Sequence, residues 1–148
     1  MVAANSRPVG VAVAPDGMVY FCDMSAQPGF NEQASHLYRF DPQTKQTVIY
    51  RSPSGFANGM KFNAAGEMVT VQGNAGGTRD VTRTDLRTGK SYVVANAFEG
   101  RPLNSPNDPV LDARGRLYFT DPRNVGTEPI NQPVFGVYRV DQNGQLET

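Results

Sequence analysis

The sequence is poor in the residues on which several common kinds of site depend. Its 148 residues include one cysteine, one histidine and no tryptophan. A single cysteine excludes a disulfide framework and a zinc-binding thiolate cluster within the chain. A single histidine excludes a metal site made only of histidines. The absence of tryptophan excludes WD-type repeats, because their signature contains that residue.

The sequence also lacks an excess of charge of either sign and any long apolar run. Lys and Arg number 14, Asp and Glu number 14, and the formal net charge is +0. Nucleic acids and anionic membranes attract clustered basic residues, so we expect neither as a partner. No apolar run approaches the ~20 residues that span a bilayer, and no basic segment followed by an apolar run opens the chain. These absences predict a soluble protein, cytoplasmic or, if a leader was lost, periplasmic.

What the sequence does contain is an internal repeat with a step of 49 residues. Segments 9–17, 58–66 and 107–115 align without gaps, and each ends in glycine. Each is followed by three further short runs, rich in Val, Tyr and Phe and separated by turn residues. The second of these four runs ends, again at the same step, at Asp23, Gln72 and Asp121.

Each repeat unit therefore predicts four short strands, and no stretch shows helical periodicity. Four-stranded units of this length are typical of β-propeller blades. The sequence predicts an all-β fold, a single incomplete propeller domain over 1–148 with blades near 7–51, 56–97 and 105–148. An irregular β-sandwich is the alternative, but it does not explain the constant step. Because propellers usually have about four to eight blades, we expect these three blades to be either part of a longer protein or half of a six-bladed ring closed by a homodimer.

The first strand of every blade lines the central channel, so one repeat column names the residues that converge on the axis. That column contains Val9, Asn58 and Asn107, with Asp108 beside the last. Amide and carboxylate oxygens from several blades are hard ligands that suit Ca²⁺. A local role is the alternative, because asparagine often bonds nearby backbone and Asn58–Gly59 is a turn dipeptide.

The column at the ends of the second strands supplies further candidates. For Asp23 and Gln72 a strand-ending turn is the favoured interpretation. Asp121 precedes Pro122 in a longer loop, so a turn and a functional role both stay open.

Four other features are weaker candidates. His36 is expected at an exposed blade edge, and Cys22 lies in an alternating run that predicts a buried core thiol. The glycine-rich segment 73–78 has no following lysine or helix, so an interstrand loop is favoured over a phosphate loop. The polar loop 123–133 is expected near the mouth of the channel, where it covers a substrate or is an ordinary insertion.

Segments 52–62, 98–122 and 135–144 closely resemble the gluconolactonase and senescence-marker-protein (regucalcin-like) family. The run LNSPND followed by GRLYFTDP is typical of its bacterial gluconolactonase branch. The resemblance implies a six-bladed propeller that holds one divalent cation, usually Ca²⁺, in its channel and hydrolyses sugar lactones such as gluconolactone. Segment 10–21 also has the style of NHL-type propellers, so a non-catalytic binding propeller stays as an alternative.

The resemblance also implies roles for individual residues. Asn107 matches a metal-binding asparagine, Asp108 and Asn58 match substrate-binding positions, and Asp121 is the in-chain candidate for the base that takes a proton from water. The family holds its metal with a glutamate from the first blade, where this chain has Val9. The remaining ligands would come from later blades. We therefore expect the 148 residues alone to be inactive.

Overall fold

A computed structural model describes residues 7–24, 35–73, 77–123 and 129–148. These residues form strands, and none of them lies in a helix long and apolar enough to cross a membrane. The strands are β1 Pro8–Val13, β2 Val19–Asp23, β3 His36–Phe40, β4 Thr47–Arg51, β5 Ala57–Phe62, β6 Met68–Gln72, β7 Asp80–Thr84, β8 Ser91–Ala95, β9 Ala97–Phe98, β10 Arg101–Pro102, β11 Pro109–Leu111, β12 Leu117–Asp121, β13 Gly136–Val140 and β14 Leu146–Glu147.

Twelve of these strands form three four-stranded antiparallel sheets in simple sequential order. The first sheet has the order β1-β2-β3-β4, the second β5-β6-β7-β8 and the third β11-β12-β13-β14. The short hairpin β9–β10 lies in the connection between the second and third sheets. The predicted all-β propeller architecture is confirmed.

The glycine that ends each repeat segment closes the turn between the first two strands of its sheet. Gly17, Gly66 and Gly115 have φ angles of 84°, 77° and 75°, a region that side chains rarely adopt. Side-chain oxygens complete these turns, as where Asn63 Oδ1 accepts the Glu67 amide at 2.8 Å. The short turns therefore follow from local sequence.

The core consists of two hydrophobic clusters, one on each side of the second sheet. All five residues of β6 are buried, because neighbouring sheets cover both faces of this strand. The cluster between the first and second sheets includes Tyr20, Cys22, Leu37, Met60 and Met68. The cluster between the second and third sheets includes Val71, Val81, Leu103, Phe119 and Tyr138.

The first strands of the three sheets lie side by side, in contact through backbone at two glycines. A Cβ added at Gly10 would lie 1.6 Å from the Asn58 carbonyl oxygen, and one at Gly59 would lie 2.7 Å from that of Asn107. The Gly59 amide also donates to the Asn107 carbonyl at 2.9 Å. Asp108 occupies the equivalent place in the third sheet. The residues of the predicted channel column are thereby brought into adjacent strands.

The outer faces of the first and third sheets carry exposed apolar side chains. Val11 and Val13 are exposed on the first sheet, and Val110 and Val137 are exposed on the third. In the part of the chain that the structure describes, no further sheet packs against these faces.

Candidate functional site

The candidate site lies at the end of the sheets where the first strands begin and the second strands end. Asn58 is the second residue of β5, Asn107 and Asp108 immediately precede β11, and Asp121 is the last residue of β12. The short turns occupy the opposite end. The antiparallel order of the strands therefore places all four predicted site residues at one end.

The backbone at Asn107 and Asp108 is fixed between two sheets. The Asn107 amide donates to the Thr120 carbonyl at 2.9 Å, and its carbonyl accepts the Gly59 amide at 2.9 Å. The Asp108 amide donates to Thr120 Oγ1 at 3.2 Å. Asn107 is half-buried and Asp108 is exposed. The carboxylate of Asp108 is therefore accessible to solvent.

Asn58 and Val9 occupy the same column in the second and first sheets. Asn58 is half-buried, and its carbonyl lies against Gly10. Val9 packs against the core cluster between the first and second sheets. A valine side chain carries no metal-binding atom, so the first sheet adds no side-chain ligand at this position.

Asp121 binds the chain segment that leads to Asn107. Its carboxyl group is 0% exposed, Oδ2 accepts the Asn104 amide at 2.8 Å, and Oδ1 accepts the Ser105 amide at 2.6 Å. Burial raises the pKa of this carboxyl above its ordinary value, against the opposing effects of the two amides and of the positive charge of Arg79. Both oxygens therefore serve to hold the backbone in place.

The equivalent residues of the other sheets show which part of this arrangement repeats. Asp23 is buried, and its Oδ1 accepts the amide of Arg7, 16 residues earlier, at 2.9 Å. Ser105 stands at the same separation from Asp121. Gln72 differs, because its Nε2 donates to Thr82 Oγ1 at 2.8 Å within the second sheet. The two aspartates therefore fasten the segment before the first strand, where a local turn had been the favoured interpretation for Asp23.

Two buried amide side chains beside the site were not singled out individually by the sequence, although one of them lies in the polar loop 123–133. Asn104 and Gln132 are 1% and 2% exposed. Gln132 lies in the connection between β12 and β13, which is outside the repeated runs. No periodic signal therefore singles it out, and only the LNSPND motif drew attention to the segment containing Asn104.

Two of the weaker candidates, Cys22 and His36, have surroundings that fit a structural role. Cys22 is buried in the core as predicted, and burial raises its pKa to about 12. His36 is half-buried at the start of β3, with Nδ1 2.8 Å from Ser52 Oγ. In segment 73–78, residues 74–76 lie outside the described residues, as do 124–128 of the loop 123–133.

The donor atoms at this end agree in kind with a hard divalent cation. Asn58 and Asn107 carry amide oxygens and Asp108 carries a carboxylate, the oxygen types that Ca²⁺ prefers. Ca²⁺ takes about six to eight oxygens, so these three side chains would be a partial set. Among the described residues, no three His, Cys, Asp or Glu side chains cluster in a way that could hold a metal.

The fold and this polar end define the chain as part of a β-propeller, and comparisons with known proteins confirm the resemblance to gluconolactonases. The chain is 32% identical over 136 residues to a gluconolactonase of Zymomonas mobilis subsp. mobilis (strain ATCC 31821 / ZM4 / CP4), an alignment covering 80% of this chain and 37% of that protein. No family model matches the chain.

Solved structures show the same fold. A structural-genomics target assigned as a gluconolactonase has a TM-score of 0.79 and 24% identity, over 98% of this chain and 52% of that one. A gluconolactonase from Xanthomonas campestris has a TM-score of 0.78 and 21% identity, over 96% of this chain and 46% of that one. The chain thus spans about half of these two structures and 37% of the Zymomonas protein.

Proposed function

We propose that this chain, within a complete six-bladed ring, takes part in the hydrolysis of a sugar lactone assisted by a divalent cation, with Ca²⁺ as the first candidate. The observation that carries the proposal is the placement of Asn58, Asn107 and Asp108. Their oxygen-bearing side chains lie in, or immediately before, adjacent inner strands at one end of a gluconolactonase-like fold. Because these residues supply only part of a site, the 148 residues alone are expected to be inactive.

The proposed reaction is the attack of water on the lactone carbonyl. Asn107 would hold the cation through its amide oxygen, and a bound cation polarises a carbonyl as a Lewis acid. Asn58 would bind or orient the sugar through its amide. Asp108, whose carboxylate is exposed, would accept hydrogen bonds from sugar hydroxyls.

The role that we propose for Asp121 is to position Asn107. A general base must contact the water from which it takes a proton, directly or through one other water. Asp121 is fully buried beside the two backbone amides that it binds, so water would have to enter this packed segment before Asp121 could act as that base. As a positioning residue it keeps both hydrogen bonds.

A second candidate function is a binding propeller of NHL type without catalysis. The observation that favours it is Val9, which supplies no ligand where the related enzymes have a glutamate. This candidate predicts neither lactone hydrolysis nor a stabilising effect of divalent cations.

The test, made on a complete ring that contains this chain, is the rate of gluconolactone hydrolysis above the uncatalysed rate, followed by acid release, before and after chelation and with Ca²⁺ restored. Light scattering after size exclusion first identifies the species assayed, since two copies of the 16.1 kDa chain differ clearly from one. We expect Asn107→Ala to lower the cation-dependent rate at least tenfold. Asn143→Ala, an exposed turn residue at the opposite end, is the control and should leave the rate unchanged.

Asp121→Asn separates the two roles of Asp121. The amide keeps the shape but turns an N–H group toward a backbone donor, which should cost about 1–3 kcal/mol of stability. As a positioning residue Asp121 sets cation affinity, so the variant should bind Ca²⁺ more weakly and keep the pH profile of the wild type. Loss of all turnover with unchanged Ca²⁺ affinity would show that Asp121 is the base. Hydrolysis at the uncatalysed rate by a complete wild-type ring, with Ca²⁺, Mg²⁺ and Zn²⁺, would contradict the proposed function itself.

A further inference from the structure

We propose that Gln132 and Asn104 form a buried amide clamp that sets the position of Asn107, so that both are positioning residues for the candidate site. The clamp consists of these two side chains and the backbone groups that they bind. Its importance for catalysis rests on the proposed function, whereas its effect on Asn107 does not.

The carboxamide of Gln132 fastens the hairpin β9–β10. Its Nε2 lies 2.7 Å from the Arg101 carbonyl, and 3.1 Å from the carbonyls of both Phe98 and Pro102. Two N–H groups thus serve three carbonyl oxygens of one hairpin, at a side chain that is 2% exposed. A buried amide with this many partners holds two connections, 30 to 34 residues apart in sequence, in one arrangement.

Asn104 fastens the other side of the same contact. Its Oδ1 accepts the amides of Asn131 and Gln132 at 2.8 and 3.0 Å, and its Nδ2 donates to the Val134 carbonyl at 3.3 Å. Its own amide donates to Asp121 Oδ2 at 2.8 Å. Asn104 therefore binds the segment before β13, and it is also the first residue of the short segment that leads to Asn107.

The two residues between Asn104 and Asn107 have little room for independent movement. Ser105 and Pro106 are buried, and the Ser105 amide donates to Asp121. A Cβ added at Gly73 in the second sheet would lie 2.6 Å from the Pro106 carbonyl oxygen. The second sheet thus closes one side of this segment, while Asp121 and the clamp close the other. A displacement of Asn104 would therefore reach Asn107 through a short, packed backbone.

The chemistry of the clamp requires donors at position 132. Glutamine presents two N–H donors to the hairpin carbonyls, whereas an ionised glutamate presents only acceptors. A neutral carboxylic acid regains one O–H donor. Gln132→Glu should therefore weaken the clamp at neutral pH and recover part of it in acid. Gln132→Met fills similar space without a donor and should show no such recovery.

The experiment measures three quantities in the wild type, Gln132→Met and Gln132→Glu. They are the hydrogen exchange of the Ser105 and Asn107 amides, the affinity for Ca²⁺ alone by calorimetry, and the kcat and KM for gluconolactone. The matched control is Gln142→Met, whose amide also donates to a carbonyl, that of Arg114, at the opposite end of the sheet. If Gln132→Met does not fold, Asn131→Ala is the milder variant, because it removes the bond from Asn131 Nδ2 to the Leu103 carbonyl.

We expect Gln132→Met to speed exchange at Ser105 and Asn107 at least tenfold and to lower Ca²⁺ affinity and kcat at least tenfold, with KM less affected. In acid, Gln132→Glu should regain part of the protection from exchange and part of the Ca²⁺ affinity and kcat, relative to the wild type at the same pH. Unchanged exchange at these two amides overturns the clamp. Faster exchange with unchanged Ca²⁺ affinity and kcat overturns the positioning role. A complete wild-type ring that neither binds Ca²⁺ nor hydrolyses lactone refutes the proposed function, and the exchange rates then decide the clamp alone.

Discussion

Replacing Gly59 by alanine tests whether the inner strands must meet backbone to backbone. Gly59 lies in β5, and its φ is outside the left-handed region, so alanine suits its backbone conformation. The added Cβ would lie 2.4 Å from Pro109 Cδ, 2.7 Å from the Asn107 carbonyl oxygen and 3.0 Å from the Asp108 Cα. None of these atoms ends a flexible side chain. The second and third sheets must therefore separate at their inner edge.

The change in the free energy of unfolding is the sum of two destabilising contributions and one stabilising contribution. Overpacking a well-filled contact costs about 1–3 kcal/mol, and loss of the bond from the Gly59 amide to the Asn107 carbonyl costs about 0.5–1.5 kcal/mol. Replacing glycine restricts the unfolded chain and returns about 0.4–1 kcal/mol. The net destabilisation is roughly 1–4 kcal/mol, which in a domain of this size lowers Tm by roughly 3–12 °C.

Gly136→Ala is the matched control in thermal unfolding followed by circular dichroism. Gly136 also lies in a strand with φ outside the left-handed region, but the nearest atoms to its added Cβ lie at 3.6, 3.7 and 3.8 Å. This variant should keep or raise Tm, because only the unfolded-state effect applies. Equal changes in Tm for the two variants would refute the close backbone approach as the reason for glycine at position 59.

Two further predictions concern titratable groups away from the site. The Cys22 thiol is buried, and its pKa is raised to about 12. From the smaller ionised fraction alone, it should react with a thiol reagent at pH 8 roughly a thousandfold more slowly than a free cysteine. Similar reaction rates with and without denaturant would contradict this burial. Asp85 accepts hydrogen bonds from Thr88 Oγ1 and the Arg87 amide, which hold its pKa below the ordinary value of 3.8. Its charge therefore stabilises the fold above that value, and the contribution is lost as pH falls through the lower folded pKa. Asp85→Asn should lower Tm at neutral pH, and a deficit that stays the same at about pH 2 would refute the assignment.

Most of the architecture could be predicted from the repeat in the sequence, because equivalent positions have the same structural role in each sheet. Gly66 closes a turn, and Gln72 ends a second strand, at the positions that the constant step indicates. The alternative interpretation of Asn58–Gly59 as a turn is wrong, since both residues lie within β5. Local propensity favours a turn for this dipeptide, but local propensity does not encode the contact between sheets that Gly59 makes here.

The contacts inside the candidate site were less accessible from the sequence. Spacing placed Asp121 at the correct end of its strand, but it does not say which backbone amides a buried carboxylate meets. Gln132 belongs to the connection between β12 and β13, which differs in length from the connections between the second and third strands of the other two sheets, so the constant step assigns it to no column. Its role depends on a hairpin about 30 residues earlier in the chain, and such a pairing appears only once the third sheet is folded against the second.

Asp108 makes the third sheet different from its neighbours as a surface for another sheet. Gly10 and Gly59 let the next inner strand approach to backbone contact, whereas Asp108 carries a Cβ and a charged group at the same place. A further sheet that packed on the third sheet at this edge would therefore meet the Asp108 side chain, where the described sheets meet through backbone. That junction would be wider than the two that the described sheets form with each other, and it would lie beside Asn107.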